Sequence, residues 1–142
     1  MVALRAEAEH FSYVDSSVLI ASVGDEANSV WARAALMNGG LLSSVITRVE
    51  LARYAQRVGQ EGGQLRAIES AVSFVKVDDQ AIAGAIAVRG EVKALDALHL
   101  GTWARLRAAG LDCVFITADR KQAVAAAKAG ATLLHPFGNG LG

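Results

Sequence analysis

The sequence predicts a three-layer α/β/α fold with a short central parallel sheet. Short apolar runs typical of buried strands alternate with segments of helical periodicity, and parallel strands require crossover connections of this kind. Hydrophobic residues make up 53% of the chain but aromatic residues only 6%, which favours aliphatic helices packed on a buried sheet. A length of 142 residues is enough to bury one core without disulfides. We therefore expect a single domain over residues 1–142.

Apolar runs bounded by turn residues predict the strands of this sheet. The first strand ends at Asp15, where Ser16 and Ser17 are expected to form a polar turn. The fourth contains Cys113, the only cysteine, which we expect to be a buried and inert thiol. In chain order the predicted strands cover residues 13–15, 41–44, 73–77, 113–117 and 131–134.

Segments of helical spacing separate these strands, and several of them begin at a capping residue and end at glycine. Asp25 or Asn28 is expected to cap the first helix, and Asp78 or Asp79 the fourth. In chain order the predicted helices cover about residues 28–37, 47–58, 64–70, 79–89, 94–109 and 120–129.

Charge and hydropathy exclude several classes of protein. Lys and Arg total 14 and Asp and Glu total 14, so no net charge attracts the chain to nucleic acid, and any such site is a local patch. Glu7 and Glu9 occupy the region where a secretory signal needs its apolar core. No apolar stretch approaches the ~20 residues that span a bilayer. We expect a cytoplasmic protein without membrane association.

Four acidic residues carry the candidate chemistry. Asp15 closes the first strand and Asp119 follows the fourth, at the carboxyl edge where parallel sheets bind ligands. Glu50 and Asp96 each lie near the start of a helix among apolar residues. Two charges about 4 Å apart repel by about 4 kcal/mol at an effective dielectric of about 20, so converging carboxylates need a cation. Mg²⁺ or Mn²⁺ suits carboxylate oxygens and would support metal-assisted hydrolysis.

Each acid also has a purely structural interpretation. TRVE at residues 47–50 is a capping-box pattern, in which Glu50 reaches back to a backbone amide. Asp96 and Asp119 are each placed to cap a helix, and Asp15 stands at a position typical of a turn aspartate. Capping does not exclude contact with a metal ion, so sequence spacing leaves these interpretations open.

Four short motifs contain the acids. They are YVDSSVLIA at residues 13–21, SSVITRVELA at 43–52, LDALHL at 95–100 and FITAD at 115–119. In order and spacing they resemble the four acidic segments of the PIN domain, especially the nuclease toxins of bacterial toxin–antitoxin pairs. The likeness covers most of the chain.

The resemblance implies an endoribonuclease, a hydrolase of RNA that depends on Mg²⁺ or Mn²⁺. It assigns catalysis and metal binding to the same residues, namely Asp15, Glu50, Asp96 and Asp119. Ser16 and Thr117 are expected to orient water or these carboxylates. The family likeness also implies a cognate antitoxin protein that blocks the acidic crevice and a homodimer, for which we expect an apolar helical face around Trp31 or Tyr54.

Basic and histidine side chains complete the candidate site. RNA contacts are expected from a few residues, each of which is more often a solvated surface group, namely Arg48, Arg53, Lys93 and Arg120. His99 lies three positions after Asp96 on the same helical face. For His99, packing with a local hydrogen bond is favoured over contact with substrate or metal.

The start of the chain departs from the family pattern. About 11 residues precede the first strand, and we interpret them as an N-terminal extension. The Gly-rich tail over residues 138–142 is expected to fray.

Two other functions are compatible with an aspartate at the end of the first strand or with the predicted fold. A phosphatase of the haloacid dehalogenase type would also place an aspartate after its first strand, but it needs a second acid two positions later, where Ser17 stands. A catalytically degenerate PIN-like scaffold that acts only by protein binding would keep the fold without the chemistry. The presence of all four acids argues against this scaffold.

Overall fold

A sheet of five parallel strands runs through the part of the chain that the computed structural model describes, residues 10–59, 63–139 and 141. Its strands are β1 (Phe11–Val14), β2 (Gly40–Ser44), β3 (Val72–Val75), β4 (Val114–Ile116) and β5 (Leu133–Leu134). Across the sheet the order is β3-β2-β1-β4-β5. The chain therefore adds β2 and β3 on one side of β1 and then adds β4 and β5 on the opposite side of β1.

Seven helices in the described residues cover the two faces of the sheet. They are α1 (Ser16–Val23), α2 (Ser29–Ala35), α3 (Ile46–Val58), α4 (Gly63–Ser70), α5 (Asp79–Ile86), α6 (Ala94–Ala108) and α7 (Arg120–Lys128). Helices α1 to α4 share a core with Val14 and Ile116, whereas α6 and α7 share one with Tyr13 and Phe115. Neighbouring strand residues thus face opposite layers, as the two-residue period of a strand requires. The predicted three-layer α/β/α fold is confirmed.

The pairing of β1 with β4 positions the candidate site. Val14 lies opposite Ile116, and the backbone N–H of Asp15 donates to the Ile116 carbonyl at 3.3 Å. The strand order reverses at this pair, and open parallel sheets form their ligand crevice at such a point, beyond the carboxyl ends of the strands. The register therefore brings Asp15 and Thr117 side by side at that edge.

The segment after β1 differs from the prediction. Residues 16–23 form helix α1, where the sequence predicted only a polar turn. Asp15 is the N-cap of this helix, and the buried side chains of Val18 and Leu19 attach it to the core. A short apolar run has too few residues for its period to distinguish a helix from a strand, so packing decided this element.

The other predicted elements are present with ends shifted by at most three residues, the largest shift being the end of α5 at Ile86. Cys113 is buried, and burial together with the charge of Asp112 raises the pKa of its thiol, as expected for an inert cysteine. No helix of the described residues is both long and apolar enough to cross a membrane. Most of the predicted N-terminal extension, up to residue 9, lies outside the described residues, as do positions 140 and 142 of the predicted frayed tail.

Helices α5 and α6 pack so closely that glycine is required at the contact. A Cβ on Gly101 would collide with the carbonyl oxygen of Ala81 and the backbone nitrogen of Ala85, and would lie 2.9 Å from the Cα of Ala85. On the facing helix, a Cβ on Gly84 would lie 3.1 Å from the carbonyl oxygen of Gly101. Since these neighbours are backbone atoms, only a shift of one helix could make room.

We expect Gly101→Ala to destabilise the fold by about 3 kcal/mol or more, because overpacking against backbone cannot be relieved by side-chain rotation. Urea unfolding measures the change. Gly63→Ala is the matched control, since a Cβ at that helical position meets no atom within 4 Å, and its free energy of unfolding should change by less than about 1 kcal/mol. Equal stabilities of the two variants would contradict the close contact.

Candidate active site

Asp15 lies between the end of β1 and the start of α1 and is only 2% exposed. Its Oδ1 accepts hydrogen bonds from the hydroxyl of Ser17 and, at 3.1 Å, from the backbone N–H of the same residue. Its Oδ2 accepts from the Thr117 hydroxyl at 2.6 Å. Thr117, one of the two residues proposed to orient the acids, donates to Asp15, whereas the serine hydroxyl that does so belongs to Ser17 rather than to the proposed Ser16.

Asp119 caps α7 from the end of the neighbouring strand. Its Oδ1 accepts from the backbone N–H of Gln122 at 2.9 Å, so the expected capping role is present, and Oδ2 is not used by that bond. Its own backbone N–H donates to the Thr117 hydroxyl at 3.1 Å, and the N–H of Ala118 donates to the Ser17 hydroxyl at 2.9 Å. These bonds fasten the turn after β4 to the turn after β1.

The capping-box interpretation of Glu50 is wrong. Helix α3 begins at Ile46 after Val45, so Thr47 is already inside the helix, and its hydroxyl lies 2.7 Å from that of Ser43. Glu50 is the fifth residue of the helix, too far along it to reach back to the N-cap amide. Its carboxylate is therefore available for a tertiary contact.

That contact is with His99 on α6. Glu50 Oε1 lies 2.8 Å from His99 Nε2, and His99 Nδ1 lies 2.8 Å from the hydroxyl of Tyr13. Both rings are fully buried. Burial and the charge of Asp15 raise the pKa of Tyr13 well above its usual range, so its phenol stays protonated. His99 is a buried and hydrogen-bonded side chain, as expected, but its partners are far away in the sequence rather than local.

Asp96 is the third residue of α6 and is half-buried. The N-cap is Lys93, and the Lys93 backbone forms a hydrogen bond with the Asp96 carboxylate. The carbonyl oxygen of Asp96 accepts from Gln122 Nε2 at 2.9 Å. Gln122 is fully buried, and its Oε1 is without a hydrogen-bond partner among the described residues. A buried acceptor beside an acidic residue is suited to a donor such as bound water.

The acids influence one another electrostatically. Burial raises the pKa of Asp15 to about 6, and the Asp96 carboxylate adds to the rise, while His99 and the hydroxyls of Ser17 and Thr117 oppose it. Burial also raises the pKa of Asp96, and the charges of Asp119 and Glu50 raise it further. The structure therefore brings the four predicted acids to one edge of the sheet, with Asp96 interacting with each of the other three.

The side chains do not converge as tightly as metal ligands do. Among the described residues, no three His, Cys, Asp or Glu side chains are close enough together to hold a metal ion in their present orientations. Two of the carboxylates are hydrogen-bonded within the protein, Asp119 to the backbone N–H of Gln122 and Glu50 to His99. Each of these bonds uses one carboxylate oxygen, so the second oxygen of Asp119 and of Glu50 lies outside the bond named.

The four basic residues expected to contact RNA differ in their distance along the chain from the acids. Arg48 forms a surface salt bridge with Glu69, with Nε and Oε1 3.1 Å apart, and Glu69 is not one of the four acids. Arg120 directly follows Asp119, and its guanidinium carbon lies 4.7 Å from the centre of the Phe137 ring. Lys93 is exposed at the N-cap of α6, and Arg53 is exposed on α3. Lys93 and Arg120 are therefore the basic residues next to the helix starts that carry the acids.

Three contacts of the site were not predicted from the sequence. The role of Ser17 follows once Asp15 is an N-cap, because caps bond to the second or third residue of their helix. The pattern Asp119–Gln122 resembles a capping box and could have indicated Gln122. No sequence signal links His99 to Glu50, which is 49 residues away.

Comparison with known proteins places these residues in a family. The PIN domain family matches residues 12–128, a range that includes all four acids. The chain belongs to the PIN domain family. A solved structure described as a toxin-antitoxin complex from Klebsiella pneumoniae resembles this PIN domain, with 23% sequence identity and a TM-score of 0.62 over 78% of this chain and 88% of that chain. At this identity the likeness concerns the fold. No curated protein matches the chain.

PIN domains are generally nucleases and typically use divalent metal ions. Membership of this family therefore agrees with an acidic site at the carboxyl edge of the sheet. It does not agree with the phosphatase alternative, whose fold family is different.

The raised pKa of Asp15 predicts how the stability of this PIN domain depends on pH. Its folded pKa of about 6 exceeds the ordinary value of 3.8, so the folded state binds the proton more tightly. In EDTA, the free energy of unfolding should therefore fall as pH rises from about 4 to about 6, by on the order of 2–3 kcal/mol from this group.

Asp15→Asn should remove most of that fall, because asparagine does not titrate. Urea unfolding between pH 4 and 7 measures the slope for each protein. Asp25→Asn replaces an exposed carboxylate and should keep the wild-type slope. A slope for Asp15→Asn equal to that of wild type would show that Asp15 titrates normally.

Proposed function

We propose that this PIN domain is a metal-dependent endoribonuclease whose catalytic and metal-binding residues are Asp15, Glu50, Asp96 and Asp119. The observation that supports this best is the position of Asp96 among the other acids, since its pKa is raised by burial and further by the charges of Asp119 and Glu50. Such repulsion destabilises a fold and is typical of sites that bind a cation.

The chemistry of the donors fits Mg²⁺ or Mn²⁺. All four acids offer carboxylate oxygens, which these hard cations prefer. His99, the histidine nearest to them, has both ring nitrogens engaged by Tyr13 and Glu50, which disfavours a zinc site. When bound, the ion would activate water and neutralise charge that develops on the scissile phosphate.

The residues around the acids hold them on rigid elements. Ser17 and Thr117 orient the two oxygens of Asp15, and the cap to α7 holds one oxygen of Asp119. The Gln122 side chain on α7 donates to the Asp96 carbonyl at the start of α6. This bond restrains the distance between the helix starts that carry Asp96 and Asp119. Because these bonds hold the strand ends and helix starts, the reorganisation needed to bind an ion would be confined to the side chains of the acids.

RNA would reach this edge without long-range attraction, because the net charge is 0. Lys93 and Arg120 flank the acids in sequence and are exposed, so we assign to them the contacts with phosphate groups. Few such contacts imply a weak dependence of RNA binding on salt, since the slope grows with the number of neutralised phosphates.

Purified protein should cleave single-stranded or structured RNA with Mg²⁺ or Mn²⁺ and not in EDTA. Asp119→Asn should lower the cleavage rate by on the order of 10²-fold or more, because it removes charge from the ion-binding group. Metal at 100 times its Kd should stabilise wild type by about 2.7 kcal/mol and this variant by clearly less. Gel assays of cleavage and thermal melts with Mn²⁺ or EDTA measure both effects.

Asp78→Asn is the matched control for this experiment. Asp78 caps α5 through the N–H of Ala81 at 2.9 Å, as Asp119 caps α7, but it pairs with Arg105 rather than with the acids. This variant should lose some stability and keep wild-type cleavage and metal response. Equal metal shifts in wild type and Asp119→Asn would show that Asp119 is only a cap. Absence of Mn²⁺ binding by wild type would instead favour a scaffold that acts through a partner protein.

We also propose a cognate antitoxin as protein partner, in a cytoplasmic setting where RNA is available. The fold resembles that of a protein solved in a toxin-antitoxin complex, and an acidic crevice is complementary to a basic segment. Co-expression with the adjacent reading frame should yield a stable complex with suppressed RNA cleavage. A complex that cleaves RNA at the rate of the free protein would contradict this assignment.

A homodimer is the last part of the proposal. Trp31 and Tyr54 are half-buried and pack on the core of α1 to α4, but Val30 and Met37 beside Trp31 are 73% and 84% exposed. Large exposed apolar side chains are typical of interfaces. Light scattering at micromolar concentration should give about twice 14.8 kDa, and Val30→Glu combined with Met37→Glu should restore the monomer mass. A monomeric wild type would rule the dimer out.

A further inference from the structure

Two consecutive hydrogen bonds lead from the centre of the sheet to the acidic edge. The Tyr13 hydroxyl lies 2.8 Å from His99 Nδ1, and His99 Nε2 lies 2.8 Å from Glu50 Oε1. Tyr13 and His99 are 0% exposed, and the Glu50 side chain is 20% exposed. Because Tyr13 belongs to β1, His99 to α6 and Glu50 to α3, these bonds join the sheet to a helix of each layer.

Donor and acceptor chemistry determines the direction of both bonds. An ionised carboxylate only accepts hydrogen bonds, so the ring nitrogen that faces Glu50, Nε2, must carry a proton. In a neutral imidazole the other nitrogen, Nδ1, is then an acceptor, and the Tyr13 hydroxyl must donate to it. In the neutral ring, the Glu50 carboxylate and the Tyr13 hydroxyl therefore favour the same tautomer of His99, the one that donates to Glu50.

We propose that His99 is a positioning residue of the acidic site, which holds Glu50 at the acidic edge by one oxygen and leaves the other oxygen available to the cation. The inference rests on the proposed metal-dependent function. By engaging Oε1, His99 fixes the carboxylate plane and leaves Oε2 for the ion. Asp96 lies three residues earlier on the same face of α6, so one buried helix both carries an acid and orients a second one.

Hydrogen-bond partners of metal-binding side chains typically change metal affinity or activity 10–100-fold when they are replaced. We therefore expect His99→Leu, which removes the donor, to weaken Mn²⁺ binding by about 10- to 100-fold. His99→Gln keeps an N–H that can reach Glu50 and should bind Mn²⁺ within about threefold of wild type.

Tyr13→Phe provides an independent test of the same arrangement. It removes only a hydroxyl and keeps the ring that stacks on Phe115, with centroids 5.4 Å apart. Without the hydroxyl, His99 Nδ1 loses its donor and only Glu50 favours this tautomer, so Mn²⁺ affinity should fall in this variant as well. If His99→Leu does not fold, Tyr13→Phe decides the question.

A purely structural role would give a different pattern. His99 and Tyr13 are core residues, so their replacement also lowers stability. Trp103→Phe is the control for this effect, because it deletes a buried hydrogen bond of the same core, from Trp103 Nε1 to the Cys113 carbonyl at 2.9 Å, away from the acids. Trp103→Phe should lose stability and keep the Mn²⁺ affinity of wild type.

Calorimetric titration of Mn²⁺ into the full chain and its variants, together with thermal melts, measures both quantities. Weaker binding in His99→Leu and Tyr13→Phe with retention in His99→Gln and Trp103→Phe supports the positioning role. Wild-type affinity in His99→Leu and Tyr13→Phe overturns that role alone, as does equal weakening in Trp103→Phe. Absence of Mn²⁺ binding in wild type overturns the proposed function, and the positioning role with it.

Discussion

Asp15 carries an ionisable group at the end of the central strand and is only 2% exposed, so water cannot solvate its charge. Leaving such a carboxylate unpaired would cost several kcal/mol. Ser17 and Thr117 offset part of this by donating to both oxygens, and the same two hydroxyls accept backbone N–H groups from the turn after β4. Solvation of one buried acid by the protein thus holds two strand ends and two helix starts together.

Two of the acids also serve as helix N-caps. Asp15 begins α1 and Asp119 begins α7, where the free N–H groups and the positive end of the helix dipole favour negative charge. The helix starts therefore stabilise the negative charges of Asp15 and Asp119, which would otherwise destabilise the fold by repulsion. Capping and metal binding are compatible roles for Asp119, because its cap uses one carboxylate oxygen and not the other.

Helix α6 supplies the rigid part of the site. Asp96 and His99 lie on its first turns, and Gly101 lets its backbone approach α5 so closely that the two helices cannot shift independently. Trp103 anchors the same helix to the strand segment at Cys113. A helix fixed in this way can present one acid and orient another with little loss of conformational entropy on binding.

The alternation of apolar runs and helical segments was sufficient to predict the layers, the parallel sheet and most elements, because periods of two and 3.6 residues are local properties of the chain. The four acids could also be proposed as site residues from the sequence, since each lies in a contiguous motif. Helix α1 could not, because its short apolar run suits either element until burial against the sheet selects one.

Tertiary structure alone decided how the acids are held. Thr117 reaches Asp15 across 102 residues, and His99 reaches Tyr13 across 86. Such contacts depend on strand order and register, which bring distant segments to one edge and leave no periodic trace in the sequence. Residue spacing could therefore indicate which side chains carry the chemistry, whereas the crossover connections of the sheet determined which hydroxyl, imidazole or amide orients each of them.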